Sequence, residues 1–411
     1  MADVKPFKAI RPRSGLEGRI AALPYDVYSR EEAKREVMRE PLSFLRIDRA
    51  ETQFPDEVDM YADCVYEKAH DLLWEMVEQG DFVEEEQDCY YVYELVMNGR
   101  SQVGIAACAS VDDYIGQVIR KHENTREDKE RDRIRHVDVC QAQTGPIFLA
   151  YRSQPEINEV VEKVRADAPL YDFVPPDGIA HRVWRVMDAQ DVEKIKEAFW
   201  KVKNIYIADG HHRCASAVKA SQKRREAMPG YSGNEEFNYF LAVLFPDDQL
   251  MIMDYNRVVK DLNGWEETEF LRRTEEAFRL EDMGEEPYRP ERKGTFGMYL
   301  GNRWYRLTLK EPPFGTDPAA ALDVAVLQER LLAPVLGIQN PKTNQRIDFV
   351  GGIRGLEELE RRVHTDCKVA FSMYPTSIQE LFAVSDAGML MPPKSTWFEP
   401  KLRSGLFIHR I

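Results

Sequence analysis

At 411 residues the chain is long enough for two or three domains, and 43% hydrophobic with 31% charged residues is an ordinary globular balance. A formal net charge of −15 argues against broad binding to nucleic acid, which needs a basic surface to displace counterions; a phosphate-bearing ligand would be met by local Lys and Arg, helped by a divalent cation. No apolar run approaches the roughly 18–20 residues needed to span a bilayer, residues 1–7 lack the apolar core of a signal peptide, and six cysteines without a CxxC pair fit free thiols in a reducing compartment, so a cytoplasmic protein is expected.

In chain order, Pro24 after an apolar run reads as an extended segment turning into a loop. Ser29 with Glu32 is a capping-box pattern opening a helix of about ten residues. Pro41 stops it, and residues 43–47 alternate like a strand. Residues 58–79 carry apolar side chains at helical spacing. Residues 90–96 and 101–108 read as a hairpin across Asn98-Gly99. The run 118–125 ends a strand in His122-Glu123 and is followed by a very polar helix from Arg126 to about Val139, whose charges mostly suit a solvated face. Residues 145–151 form another buried strand. A helix, a strand at 183–187, a helix ending near Trp200, a strand–turn–helix over 204–225 and a strand at 237–245 complete the first half. Beyond it lie a strand at 250–253, a helix over 264–280, a hairpin over 294–309 and an amphipathic helix over 322–336. A strand at 346–352, a strand at 369–373, a helix over 377–387 and a rigid loop at 391–398 follow. This alternation predicts a mixed α/β (α+β) fold. No linker marks a boundary; three interleaved lobes are expected, at 1–115, 116–262 and 263–411.

The most informative stretch is Asp209-Gly210-His211-His212-Arg213, between a buried strand and a helix. An Asp-Gly turn lets the backbone approach a ligand, and the free N–H groups of the new helix point at an anion. An ordinary capped helix with a surface His pair is the plainer alternative. There is no GxxxxGK[ST] loop and no HExxH, and no GxSxG elbow or kinase HRD/DFG set. Zinc on His211 and His212 is a weak reading, because adjacent helical residues point about 100° apart. Phosphate handling suits the remaining residues better. The turn offers N–H donors, helix dipole and the Arg213 cation; Lys394, Ser395 and Thr396 offer an ammonium and two hydroxyls on a proline-stiffened loop. Asp209 suits Mg²⁺ binding or substrate steering, and Glu123 suits proton removal from an attacking hydroxyl, which is what phosphoryl transfer requires.

Five separated motifs carry a resemblance. They are Leu23-Pro24-Tyr25-Asp26-Val27; His122-Glu123-x-Thr125 with Asp132-Arg133; Gly145-Pro146-Ile147-Phe148; Asp209-Gly210-His211-His212-Arg213; and Pro392-Pro393-Lys394-Ser395-Thr396-Trp397-Phe398 with Pro400-Lys401 and Gly405-Leu406. Over essentially the whole chain the sequence resembles the bacterial and archaeal family called domain of unknown function 1015, departing from it at Ala22-Leu23-Pro24, where a Pro-Pro pair is commoner. More remotely, three of the motifs resemble those of free L-serine kinases of the ParB/sulfiredoxin superfamily, with a longer interval between Glu123 and Asp209. That resemblance implies a ParB/sulfiredoxin-like nucleotide-binding core with inserted and flanking α/β lobes. It implies Glu123 as catalytic base with Asp209 assisting, and phosphate binding by Gly210, His211, His212, Arg213, Lys394, Ser395 and Thr396. Substrate contacts are implied for His122, Thr125 and Thr396, and Mg²⁺ for Asp209.

The function expected is therefore a small-molecule kinase that uses Mg²⁺ with ATP or ADP, phosphorylating free L-serine to O-phosphoserine, with neither nucleic acid nor membrane as partner. The alternative is a nucleotide-dependent switch or interaction protein with no metabolite acceptor. Zinc- or iron-dependent hydrolysis through His211 and His212 is a third.

Overall fold

A computed structural model of the protein describes residues 1–125, 127–311 and 316–411. It divides into two compact units, Met1–Leu250 with Pro400–Ile411, and Met251–Glu399.

The first unit is built on a nine-stranded sheet. In chain order its strands are β1 (Val4–Lys5), β2 (Tyr90–Met97), β3 (Arg100–Ser110), β4 (Ile119–Arg120), β5 (Ile147–Tyr151), β6 (Tyr171–Phe173), β7 (Ala180–Val186), β8 (Ile205–Asp209) and β9 (Tyr239–Pro246). Across the sheet they run β4-β8-β5-β9-β3-β2-β7-β6, with β1 against β3. The expected boundary near 115 falls inside this sheet, since β9 pairs with both β3 and β5. Every residue of β9 is buried, as an unbroken apolar run between two neighbours should be. The hairpin β2–β3 turns on Asn98 (φ 50°) and Gly99 (φ 77°), the two positive φ values a type I′ turn needs.

Three helices matter for the site: α1 (Asp63–Glu78), α2 (Glu127–Cys140) and α3 (His211–Ala227). The expected start of α2 at Arg126 lies outside the described residues. The capping box of Ser29 with Glu32 is present, opening the helix Arg30–Arg39. Residues 43–47 are not a strand: Leu45–Asp48 is a helical turn. Phe44, Leu45, Ile47 and Ala50 all enter one core with Leu72, Leu73 and Phe82, and a helical turn lets all four face it where strict alternation would turn half of them away.

The second unit carries a six-stranded sheet of β10 (Tyr255–Val259), β11 (Phe278–Gly284), β12 (Thr295–Leu300), β13 (Arg303–Leu309), β14 (Ile347–Gly351) and β15 (Val369–Ser372), in the order β11-β13-β12-β15-β10-β14. The helix expected over 264–280 ends at Thr274; Phe278–Gly284 becomes an edge strand against β13. The helix expected over 322–336 is Asp323–Leu327 followed by a π turn, Gln328–Leu332. Leu327, Leu331, Leu332 and Leu336 are all buried there.

Candidate functional site

Two parallel neighbours, β4 and β8, are in register through Ile205 with Ile119 and Tyr206 with Arg120. Both end at the same edge of the sheet, so His122-Glu123 after β4 and Asp209-Gly210-His211 at the end of β8 emerge side by side. The carboxyl ends of parallel strands are where α/β sheets present ligand-binding groups. The rings of His122 and His211 meet edge to face with centroids 4.5 Å apart. Both side chains are buried. Burial pushes His122 down to about 4, against the pull of Asp209 and a hydrogen bond to the Ile207 backbone, and holds His211 well below its ordinary value, with His122 adding to the effect. Both are neutral at pH 7.

A register shift interrupts β8 between Ile207 and Asp209, the kind of bulge that re-aims a side chain at a sheet rim. Gly210 follows as N-cap in the left-handed region (φ 88°) and α3 receives no side-chain cap. The Asp209 carboxylate does not cap the helix; it accepts from the Gly210 N–H at 2.9 Å. The N-terminus of this 17-residue helix thus has no capping side chain from Gly210, and a helix N-terminus is where the dipole and backbone N–H groups favour an anion.

Lys401, on the segment Pro400–Ile411, reaches Asp209 Oδ2 at 3.2 Å. Burial would raise the Asp209 carboxyl, but Lys401 and Arg213 overcome it and hold the group well below the usual carboxylate range. It stays ionised, with 37% of its side chain open to solvent. Arg213 Nη1 donates to the Pro146 carbonyl at 2.5 Å. A Cβ at Gly145 would lie 3.2 Å from Ser404 Oγ and 3.6 Å from Arg213 Nη1, so a small residue lets the guanidinium pass.

Below the turn lies a cavity lined by Tyr25, Asp48, Arg133, Thr144, Arg213 and Ser404, among others. Arg133 stacks over the Tyr25 ring at 4.0 Å and donates to Asp132 at 2.9 Å; Tyr66 donates to the other Asp132 oxygen at 2.8 Å. Burial pushes the Tyr25 phenol up to about 12. Residues from four of the five motifs thus surround one space, and Gly405 of the fifth supports it. Gly405 has φ 81°, and a Cβ there would sit 2.5 Å from the Phe44 ring.

Thr125 donates to Glu130, which also accepts from Lys219 on α3, so that hydroxyl is engaged within the unit. Glu123 and His212 are half-buried. Lys394, Ser395 and Thr396 belong to the second unit. There Lys394 is exposed and left-handed at φ 60°, and Ser395 is buried with its hydroxyl donating to the Pro392 carbonyl at 2.6 Å. Thr396 is half-buried. Among the described residues there is no group of three or more His, Cys, Asp or Glu that could hold a metal ion, and no helix is long and apolar enough to cross a membrane. Lys401, Asp48 and Ser404 were not singled out as site residues; only the motif Pro400-Lys401 hinted at the first.

Residues 4–325 match the family described as a protein of unknown function, DUF1015. The chain belongs to that family. The matched stretch of this DUF1015 protein holds the first four motifs; Lys394, Lys401 and Gly405 lie beyond it. No curated protein matches the sequence. Among solved structures, a variant of free serine kinase in complex with AMP is 13% identical, with 74% of this chain and 91% of that one covered, at a TM-score of 0.36. SbnI with a C-terminal truncation, from Staphylococcus aureus, is 13% identical over 72% of this chain and 82% of that one, at 0.35. A conserved hypothetical protein from Pyrococcus furiosus is 12% identical over 74% and 94%, at 0.32.

Proposed function

We propose that this DUF1015 protein is a small-molecule kinase with a ParB/sulfiredoxin-like core, transferring a phosphoryl group from ATP or ADP to the hydroxyl of free L-serine. The observation that carries the reading is the pairing of β4 with β8, which sets His122-Glu123 beside an uncapped helix N-terminus flanked by Asp209, Arg213 and Lys401. Such a site supplies what phosphoryl transfer needs from a protein: fixed N–H donors, fixed cations and a base.

In this reading Glu123 removes the proton from the serine hydroxyl as its oxygen attacks the terminal phosphorus of the donor, and the nucleotide leaves one phosphate shorter. The N–H groups after Gly210, with His211, His212 and Arg213, hold the donor phosphates; the neutral His211 imidazole donates a hydrogen bond without neutralising the site. His122 and Thr125 are assigned to substrate contacts. Lys394, Ser395 and Thr396 are assigned to phosphate binding, with Thr396 also to substrate. A single ionised carboxylate, Asp209, fits the one or two that Mg²⁺ takes alongside phosphate oxygens. When bound, Mg²⁺ would neutralise charge on the transferring group.

The test is incubation of the purified protein with Mg²⁺, ATP or ADP, and a pool of amino acids, followed by mass spectrometry for O-phosphoserine. Protein that binds nucleotide yet phosphorylates no amino acid would remove the serine assignment, and hydrolysis alone would favour the nucleotide switch.

A further inference from the structure

Five arginines are buried among the described residues: Arg11, Arg49, Arg133, Arg257 and Arg403. Four have a carboxylate partner, respectively Glu85, Glu51, Asp132 and Asp177. Arg257 does not. It is 3% exposed and lies on β10 between β14 and β15, in register with Phe349 and Phe371. Its guanidinium donates only to backbone carbonyls, of Tyr255 and, at 3.0 Å, of Lys394. The Phe349 ring lies 5.4 Å from it. Burial pushes its pKa down to about 10, which leaves it charged at neutral pH.

A buried cation with neutral acceptors is costly and is seldom kept without a role. Here the acceptor identifies the role. Lys394 sits at φ 60°, a left-handed conformation that lysine avoids, and its carbonyl is the one Arg257 holds. Thr376 holds the next carbonyl, that of Ser395, at 3.0 Å. Arg257 on β10 and Thr376 beyond β15 therefore hold two successive carbonyls of the loop, while the exposed Lys394 side chain places Nζ 5.6 Å from the Tyr255 ring. With no carboxylate paired to it among the described residues, the Arg257 charge adds to the field of Lys394 at the loop surface.

We infer that Arg257 is a positioning residue that shapes the 394–396 loop for an anionic, phosphate-class ligand. The inference rests on the assignment of that loop to phosphate binding. Arg257 acts through the Lys394 backbone and through its uncancelled charge, without touching the ligand.

The experiment is calorimetric titration of the full chain with inorganic tripolyphosphate and with Mg-ADP, for the wild type, Arg257→Met and Arg257→Lys. The loss of a charge-assisted hydrogen bond predicts weakening of about tenfold for Arg257→Met. Arg257→Lys keeps the charge without the planar fork and should fall between. In steady state the donor KM should rise more than kcat falls. Tripolyphosphate bound equally by wild type and folded Arg257→Met overturns the inference while leaving the loop assignment intact. A wild type that binds no tripolyphosphate removes the loop assignment, and the inference with it. If Arg257→Met does not fold, Arg257→Lys decides: affinity equal to wild type overturns the role, and loss at unchanged thermal stability supports it.

Discussion

Lys401 Nζ lies 3.2 Å from Asp209 Oδ2, 192 positions away in the chain. The contact ties the segment Pro400–Ile411 to the turn at the end of β8, and with Arg213 it keeps the Asp209 carboxyl well below its ordinary range against the opposing effect of burial. Lys401→Met removes one of the two cations, so the Asp209 pKa rises. In the proposed reaction Asp209 acts ionised, so the acid limb of the turnover profile should then move to higher pH. Turnover at pH 7 should fall by about tenfold or more, as for loss of one preorganised electrostatic group. A pH–rate profile measured for both proteins checks this; superimposable acid limbs would contradict it.

Glu123 follows β4 by three residues, beside the turn after β8. In the proposed role of general base it would be worth about 10²–10⁴ in rate. Glu123→Gln keeps the shape and removes the proton acceptor. Turnover should fall within that range while the donor dissociation constant, read by calorimetry, stays within about threefold, the pattern of a group that acts only in the transition state. Undiminished turnover would take Glu123 out of the role.

Gly210 is needed twice over. At φ 88° an L side chain is strained, and a Cβ would lie 3.1 Å from Arg213 Nε and 3.2 Å from Nη2. Gly210→Ala should cost about 1–2 kcal/mol from the left-handed backbone alone. It should also displace Arg213 from the Pro146 carbonyl and weaken tripolyphosphate binding. Denaturant titration reads the first effect and calorimetry the second. A variant less stable but equal in affinity would show that Arg213 is not a phosphate contact.

The sequence was most legible where local chemistry decides structure. Asn98-Gly99 specifies its own turn, Ser29 with Glu32 its own cap, and Asp209-Gly210 a strand-to-helix corner, because each depends on residues within four positions. Elements settled by tertiary contacts were misread. The turn at Leu45–Asp48 follows from a core that Phe44, Leu45 and Ile47 all enter, and Phe278–Gly284 is a strand because β13 offers it an edge. The site divides in the same way. Motif residues of the first unit were visible as types, but nothing local showed that Tyr25 would lie under Arg133, or that Lys401 would neutralise Asp209. Arg257 carried no signal at all, since an arginine in a strand is ordinary until its burial and its missing carboxylate are seen.

His122 makes stability depend on pH in a definite direction. Burial lowers its pKa to about 4 in the folded protein, against about 6.5 in an unfolded chain. Between those values the unfolded chain binds a proton that the folded one refuses. The stability contributed by the neutral imidazole is complete above about pH 6.5 and is lost as pH falls toward 4, below which both states are protonated and the loss levels off. A displacement of that size corresponds to about 3 kcal/mol. Denaturant midpoints for the wild type should therefore drop between pH 7 and 4.5, and His122→Gln should drop less over the same interval. His211, also held below its ordinary value and in part by His122, adds a slope of the same sign, so the difference between the two proteins reports His122 together with its share of the His211 shift. Parallel curves for the two would show that position 122 accepts its proton as readily folded as unfolded, which the edge-to-face packing on His211 argues against.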